Sequence, residues 1–265
     1  MGCDKKLYAI REVSEITGVK PVTLRAWQRR YNLVQPQRTD KGHRLYREED
    51  IERIKVIQSW LSKGVSIGKV KSLLETETTL DDTQVTQSEQ LEDVDVILEA
   101  LALLRRSKVE SIINTVLKEY PLDVVEQQFI QPVFKAISLV KRNQRILQDS
   151  LFKSLLVVRL ESIIESENKA ARAGKCLLVS YTHNRDVASR LWAAQFSQSG
   201  WHITLMDDVE DVSGLNDLDL SAIYNSVAFY SPKPVTEAQK LAIEQLTESY
   251  SGQVTLSEVL ELTRS

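Results

Sequence analysis

Cysteine is scarce in this chain: two in 265 residues, Cys3 and Cys176, far apart in sequence. That spacing provides neither a disulfide framework nor a thiolate cluster with zinc geometry, so no metal is expected. No apolar run approaches the roughly 18 residues of a membrane span, and the opening MGCDKKLYAI lacks the apolar stretch of a signal peptide. A cytoplasmic protein with no membrane partner is therefore expected. None of the nine glycines adjoins another. Phosphate-cradling loops, a nucleophile elbow and paired-carboxylate signatures are also missing, so no enzyme is expected and no catalytic residue is assigned.

What is present is an uneven distribution of charge. Residues 1–75 hold 16 Lys and Arg against 9 Asp and Glu, whereas residues 76–265 hold 18 against 28. A basic head thus precedes an acidic body. Local excess, more than net charge, creates the field that attracts polyanions, which makes nucleic acid the first partner to consider.

Periodicity divides the chain further. In the head, IREVSEI followed by Thr17-Gly18 predicts a short helix and a tight turn, and Pro21 fits the first turn of a second helix reaching Tyr31. Leu33–Tyr46 suits a hairpin, and helices are expected over Arg47–Lys63 and Ile67–Leu74. The polar stretch TETTLDDTQVTQSEQLE reads as a linker. Four amphipathic segments follow, the third interrupted near Pro132, and imply a helical bundle. After Gly174 strand and helix alternate, with strands expected at 176–181, 202–206, 222–230 and 253–259. The expected fold is multidomain: an all-α winged helix-turn-helix head (1–75), a linker (76–91), a helical bundle (92–168) and a Rossmann-like α/β domain (175–265).

The segment TLRAWQRRYNLVQPQRTDKGHRLY, residues 23–46, concentrates six Arg and Lys around a single Asp. On the second helix Leu24, Trp27 and Tyr31 share the core face. Thr23, Ala26, Arg29 and Arg30 are expected to point outward into a major groove, with Arg25 a phosphate clamp at the edge. The hairpin adds Arg38, Lys41, His43 and Arg44 as a wing that tracks phosphates, and Tyr46 completes the expected DNA-binding set.

The run YAIREVSEITGVKPVTLRAWQRRYNLVQPQRTDKGHRLYREEDIERI resembles the DNA-binding domain of the MerR family, in the order "TLR", an aromatic residue, "P-x-R", then "G-x-R-x-Y" ahead of an acidic helix. The variant is similar to the branch that holds the MlrA-type and CarH/LitR-type regulators. The resemblance implies a homodimer on double-stranded promoter DNA that activates RNA polymerase by bending and untwisting the promoter. For the MlrA type it also implies control of biofilm or curli-type matrix genes. No long heptad helix follows Leu74, so the usual dimer element is not evident.

A bundle followed by an α/β domain is also the order of cobalamin-binding modules, which the CarH-like members carry. That resemblance implies Asp/Glu-x-His-x-x-Gly after the first strand; here the residues are Tyr181-Thr182-His183-Asn184-Arg185-Asp186. His183 stands at the ligand position, but Tyr181 replaces the orienting carboxylate and Asp186 the glycine. Lys141, Leu151 and Phe152 stand where the helical cap offers its Trp and its Glu-His pair, and the late Gly-Gly is missing. A degenerate module without cofactor is expected; His183 serves only if cobalamin binds. The alternative function is a cobalamin-dependent light- or ligand-responsive repressor.

Overall fold

The computed structural model describes residues 6–39, 42–75, 90–183 and 186–262. The chain divides into two compact units, Met1–Phe152 and Lys153–Ser265. Most of the expected linker, residues 76–89, lies outside the described residues.

In the first unit a two-residue strand, β1 (Tyr8–Ala9), leads into α1 (Ile10–Thr17). The helix ends at Gly18, whose φ of 72° is the left-handed conformation that lets its N–H return to Ser14. Pro21 then opens α2 (Pro21–Ala26), which continues as a π turn over Trp27–Tyr31. Two further strands, β2 (Gln37–Arg38) and β3 (Arg44–Tyr46), pair antiparallel, and β1 adds to the other edge of β3, giving the order β1-β3-β2. Two helices complete the head: α3 (Glu48–Ser62), with three acids in its first turn, and α4 (Ile67–Glu75). Val13, Leu24, Trp27, Tyr46, Ile54 and Ile57 form its core.

Next come α5 (Asp93–Ala102), α6 (Arg106–Glu119), α7 (Leu122–Val125), a π turn over Glu126–Ile130, α8 (Gln131–Ser138) and α9 (Arg142–Asn168). Pro132 does not break the third helical segment as the sequence suggests. It sits in the first turn of α8, directly after the π turn, where its missing N–H is tolerated. Phe152, buried in the bundle core, makes edge contacts with Phe129 and Phe134 at centroid separations of 6.2 and 5.1 Å.

The end of α5 is unusual. The N–H of Leu104 reaches Leu101 O and that of Arg105 reaches Ala100 O, the pattern of a Schellman cap. The position that normally holds glycine holds Leu104, at φ 49°. Such a conformation costs a non-glycine residue about 1–2 kcal/mol.

The second unit holds the later part of α9 and a four-stranded parallel sheet: β4 (Gly174–Ser180), β5 (Trp201–Met206), β6 (Ser226–Tyr230) and β7 (Gln253–Leu256), in the order β5-β4-β6-β7. The connection α10 (Val187–Gln198) moves the chain one way from β4, and α11 (Glu237–Ser249) moves it the other way from β6. Right-handed crossovers therefore place the two helices on opposite faces. Strand order reverses between β4 and β6, which opens a crevice at their carboxyl ends. A last short helix is α12 (Glu258–Leu262). Two 3-10 turns, at Ser213–Asp217 and Leu220–Ala222, lie between β5 and β6; the second takes in Ala222, the start of the expected third strand, and β6 begins only at Ser226.

Candidate nucleic-acid interface

The orientation of the second helix is decided by what it packs against. Leu24 and Trp27 enter the head core, as their spacing predicts. The indole N–H of Trp27 also donates to the backbone carbonyl of Glu119, at the end of α6, at 2.7 Å. The Glu119 carboxylate, only 4% exposed, is paired with the guanidinium of Arg30 and accepts from the Tyr31 hydroxyl at 2.7 Å. Burial, and then the bond to Glu119, push the Tyr31 phenol far above its ordinary range. Nearby, Tyr120 OH accepts from Ile67 N at 3.3 Å and Gln128 Nε2 donates to Leu61 O at 3.0 Å. Head and bundle are thus joined by buried polar contacts.

This packing corrects the outward set. Thr23 is 3% exposed, because α2 lays that side against α6. Arg30 is turned toward Glu119, with the π turn over residues 27–31 altering the helical register at that point. Tyr46 is fully buried in the core and its hydroxyl has no hydrogen-bond partner, so it does not present itself to a ligand. The face left in solvent carries Val22, Arg25, Arg29 and the half-exposed Arg30, with Ala26 and Gln28 at its margins. Arg25, expected at the edge, therefore belongs to the exposed centre.

The hairpin completes that face. Gly42, at φ 79°, donates to Thr39 O at 2.8 Å, and Thr39 and His43 exchange bonds that close the turn. Arg38 and His43 are exposed; Lys41 lies outside the described residues. Arg44 Nε donates to Gln28 Oε1 at 2.6 Å, which locks the hairpin to the helix. Burial, followed by repulsion from Arg38, Arg29 and Arg25, holds the Arg44 guanidinium below its ordinary pKa. Arg44 thus lies within electrostatic reach of Arg38, Arg29 and Arg25. Phosphate oxygens are the natural counter-charge for such an array.

Gln28 and Glu119 were not singled out by sequence reading. Glu119 did carry a signal, since a carboxylate in the last turn of a helix opposes the helix dipole and calls for a local cation. Gln28 had none, because its role depends on where the hairpin folds back.

At the carboxyl end of the parallel sheet, His183 Nδ1 is bonded to the carboxylate of Asp208, which follows β5. Asn184 and Arg185 lie outside the described residues. Asp186 is the N-cap of α10, accepting from Ser189 N at 3.1 Å. Beside His183 is a cavity of about 690 Å³ lined by Tyr181, Glu210, Asp211, Thr236 and Leu241, among others. Among the described residues no group of three or more His, Cys, Asp and Glu side chains is placed to hold a metal ion, and no helix is long and apolar enough to cross a membrane.

Residues 8–77 match the MerR HTH family of regulatory proteins. The HTH-type transcriptional regulator MlrA of Escherichia coli (strain K12) is 34% identical over 206 residues, 76% of this chain and 79% of that protein. The HTH-type transcriptional repressor CarH of Myxococcus xanthus is 34% identical over 70 residues, 26% of this chain and 23% of its own. Among solved structures, a cobalamin-binding protein from Desulfitobacterium hafniense DCB-2 aligns with 65% of this chain and 87% of its own at 14% identity. Its TM-score of 0.27 is too low to bear on fold or ligand.

Proposed function

Since the chain belongs to the MerR family of DNA-binding transcriptional regulators and is MlrA-like, we propose that it acts as a dimeric promoter activator that grips DNA with the face formed by Arg25, Arg29, Arg38 and Arg44. The observation that carries this reading is that Arg25 and Arg29 are exposed on the helix that the Arg44–Gln28 bond ties to the hairpin, where Arg38 is exposed as well. The helix and its hairpin act together as a winged helix-turn-helix. Arg25 and Arg29 enter the major groove with Ala26 beside them, while Arg38, Arg44, Lys41 and His43 follow the adjacent backbone. Thr23, Arg30 and Tyr46 orient this face from behind and do not read bases. Two copies on a pseudopalindromic element would distort the promoter and favour RNA polymerase, with biofilm or curli-type matrix genes as the targets.

The C-terminal unit is read as free of cobalamin. His183 has a carboxylate on Nδ1, as a ligating imidazole requires, supplied by Asp208. The position that must admit the nucleotide tail, however, is filled by the capping Asp186, and Tyr181 stands where the carboxylate belongs. Selection from a promoter-fragment library tests the DNA reading: a specific pseudopalindromic site is expected, and failure to enrich any site overturns it. Adenosylcobalamin mixed with the protein in the dark should be lost on desalting; retained corrin absorbance that disappears in His183→Ala would overturn the cofactor-free reading.

A further inference from the structure

We propose that the end of the helical bundle farthest from the DNA-reading helix docks on the acidic segment 207–219 of a second copy of this chain. The proposal rests on the homodimer reading above and names the surface that forms it.

The location follows from the packing of the first unit. The head is held at the end of α6, at Glu119 and Tyr120. The turn that starts α6 is about 20 Å away, fourteen residues earlier. Helix α5 starts beside the π turn that precedes α8, where Leu91 N donates to Gln128 O at 2.8 Å. Helices α5 and α8 pack on each other, and Leu103 and Leu139 each lie eleven residues beyond that shared start at Glu92 and Gln128, so we take their ends as one surface.

That end has an exceptional surface. Leu103, Leu104, Leu139, Ile146 and Leu147 are all exposed, Leu139 at 84%. No residue from Lys141 to Leu147 is buried, so the start of α9 stands entirely in solvent. Leu104 is held in the left-handed conformation with its side chain half in water. Around these side chains the segments 103–108 and 135–147 hold seven Arg and Lys and no Asp or Glu. Exposed leucines ringed by one sign of charge mark a docking surface.

Charge identifies the occupant. Two such ends cannot meet each other, because seven cations would face seven. The complement is found on this same chain, in residues 207–219, which hold six Asp and Glu and no Lys or Arg. Of the six, Asp207 is held by Arg190 and Asp208 by His183, while Glu210, Asp211, Asp217 and Asp219 are open to a partner's cations, and Leu218 among them is 59% exposed. Ile223, just beyond, is exposed as well. Basic-and-aliphatic thus meets acidic-and-aliphatic, and two reciprocal contacts would close a dimer.

The test is the mass of the full-length protein across concentration, by sedimentation equilibrium. Lys141→Glu with Arg142→Glu places acids at a helix start, where they favour folding. Self-association is expected to weaken by about tenfold or more. Adding Asp217→Arg and Asp219→Arg to that variant should restore it. Leu104→Gly should raise the thermal unfolding midpoint, because glycine suits the left-handed position, while weakening association. If wild type dimerises but ignores the charge reversals, or if the fourfold variant is not rescued, this surface is wrong and the homodimer reading stands. If wild type is monomeric throughout, both are wrong.

Discussion

The guanidinium of Arg30 is paired with the carboxylate of Glu119, 89 residues further along the chain. An arginine from the most DNA-like segment of the sequence is thereby held in part by the protein itself. Its neighbours Arg25 and Arg29 are left to face outward. Glu119→Ala is expected to cost about 1–3 kcal/mol, since it takes the carboxylate from Arg30 and the acceptor from the part-buried Tyr31 hydroxyl. Urea denaturation reads this directly, and an unchanged midpoint would show that the contact contributes nothing.

Arg30→Ala and Arg29→Ala should separate cleanly. Loss of Arg29 weakens DNA binding and lowers the salt slope by about 1, the signature of one phosphate contact, with stability unchanged. Loss of Arg30 lowers stability and leaves the salt slope nearly as it was. Equal effects of both on the slope would contradict the assignment of faces.

Tyr46→Phe removes a buried hydroxyl that has no partner, so stability should stay level or rise by up to about 1 kcal/mol. DNA affinity should not change. A drop in affinity, measured by fluorescence anisotropy, would place Tyr46 back in the interface.

In the C-terminal unit, Arg190 is buried between Glu161 and Asp207. Arg190→Ala leaves two carboxylates without their cation and should destabilise that unit by about 3–5 kcal/mol. Hydrogen exchange of β4 and β5 amides should quicken accordingly; unaltered protection would show the network to be dispensable.

Cys176 on β4 gives a pH dependence. Burial pushes its thiol up to about 11 from an ordinary 9.0. The folded state keeps a proton that the unfolded chain releases, so stability from this group is complete below about pH 9 and falls as pH rises toward 11. Cys176→Ala should flatten that part of the stability profile, and a wild-type profile already flat there would rule out the shift.

Much of this was legible in the sequence. Gly18, Pro21 and Gly42 mark the turn, helix start and hairpin of the head, and the Thr236 cap marks the start of α11. Local chemistry specifies each of these. The outward face of α2 was not legible, because the burial of Thr23 and the turning of Arg30 depend on α6, distant in sequence. Pro132 misled for a related reason: the Gln128 carbonyl that its missing N–H leaves free accepts from Leu91 N, a partner distant in sequence. Leu104, spaced for the core, is instead turned out by its left-handed backbone.

The most direct test of the account is equilibrium binding of the selected promoter site by Arg25→Ala, Arg29→Ala and Thr23→Ala across a salt series. The account predicts weaker binding and a shallower salt slope for both arginine variants, and an unchanged slope for Thr23→Ala. Unchanged binding by the arginine variants, or a loss of sequence preference confined to Thr23→Ala, would contradict it.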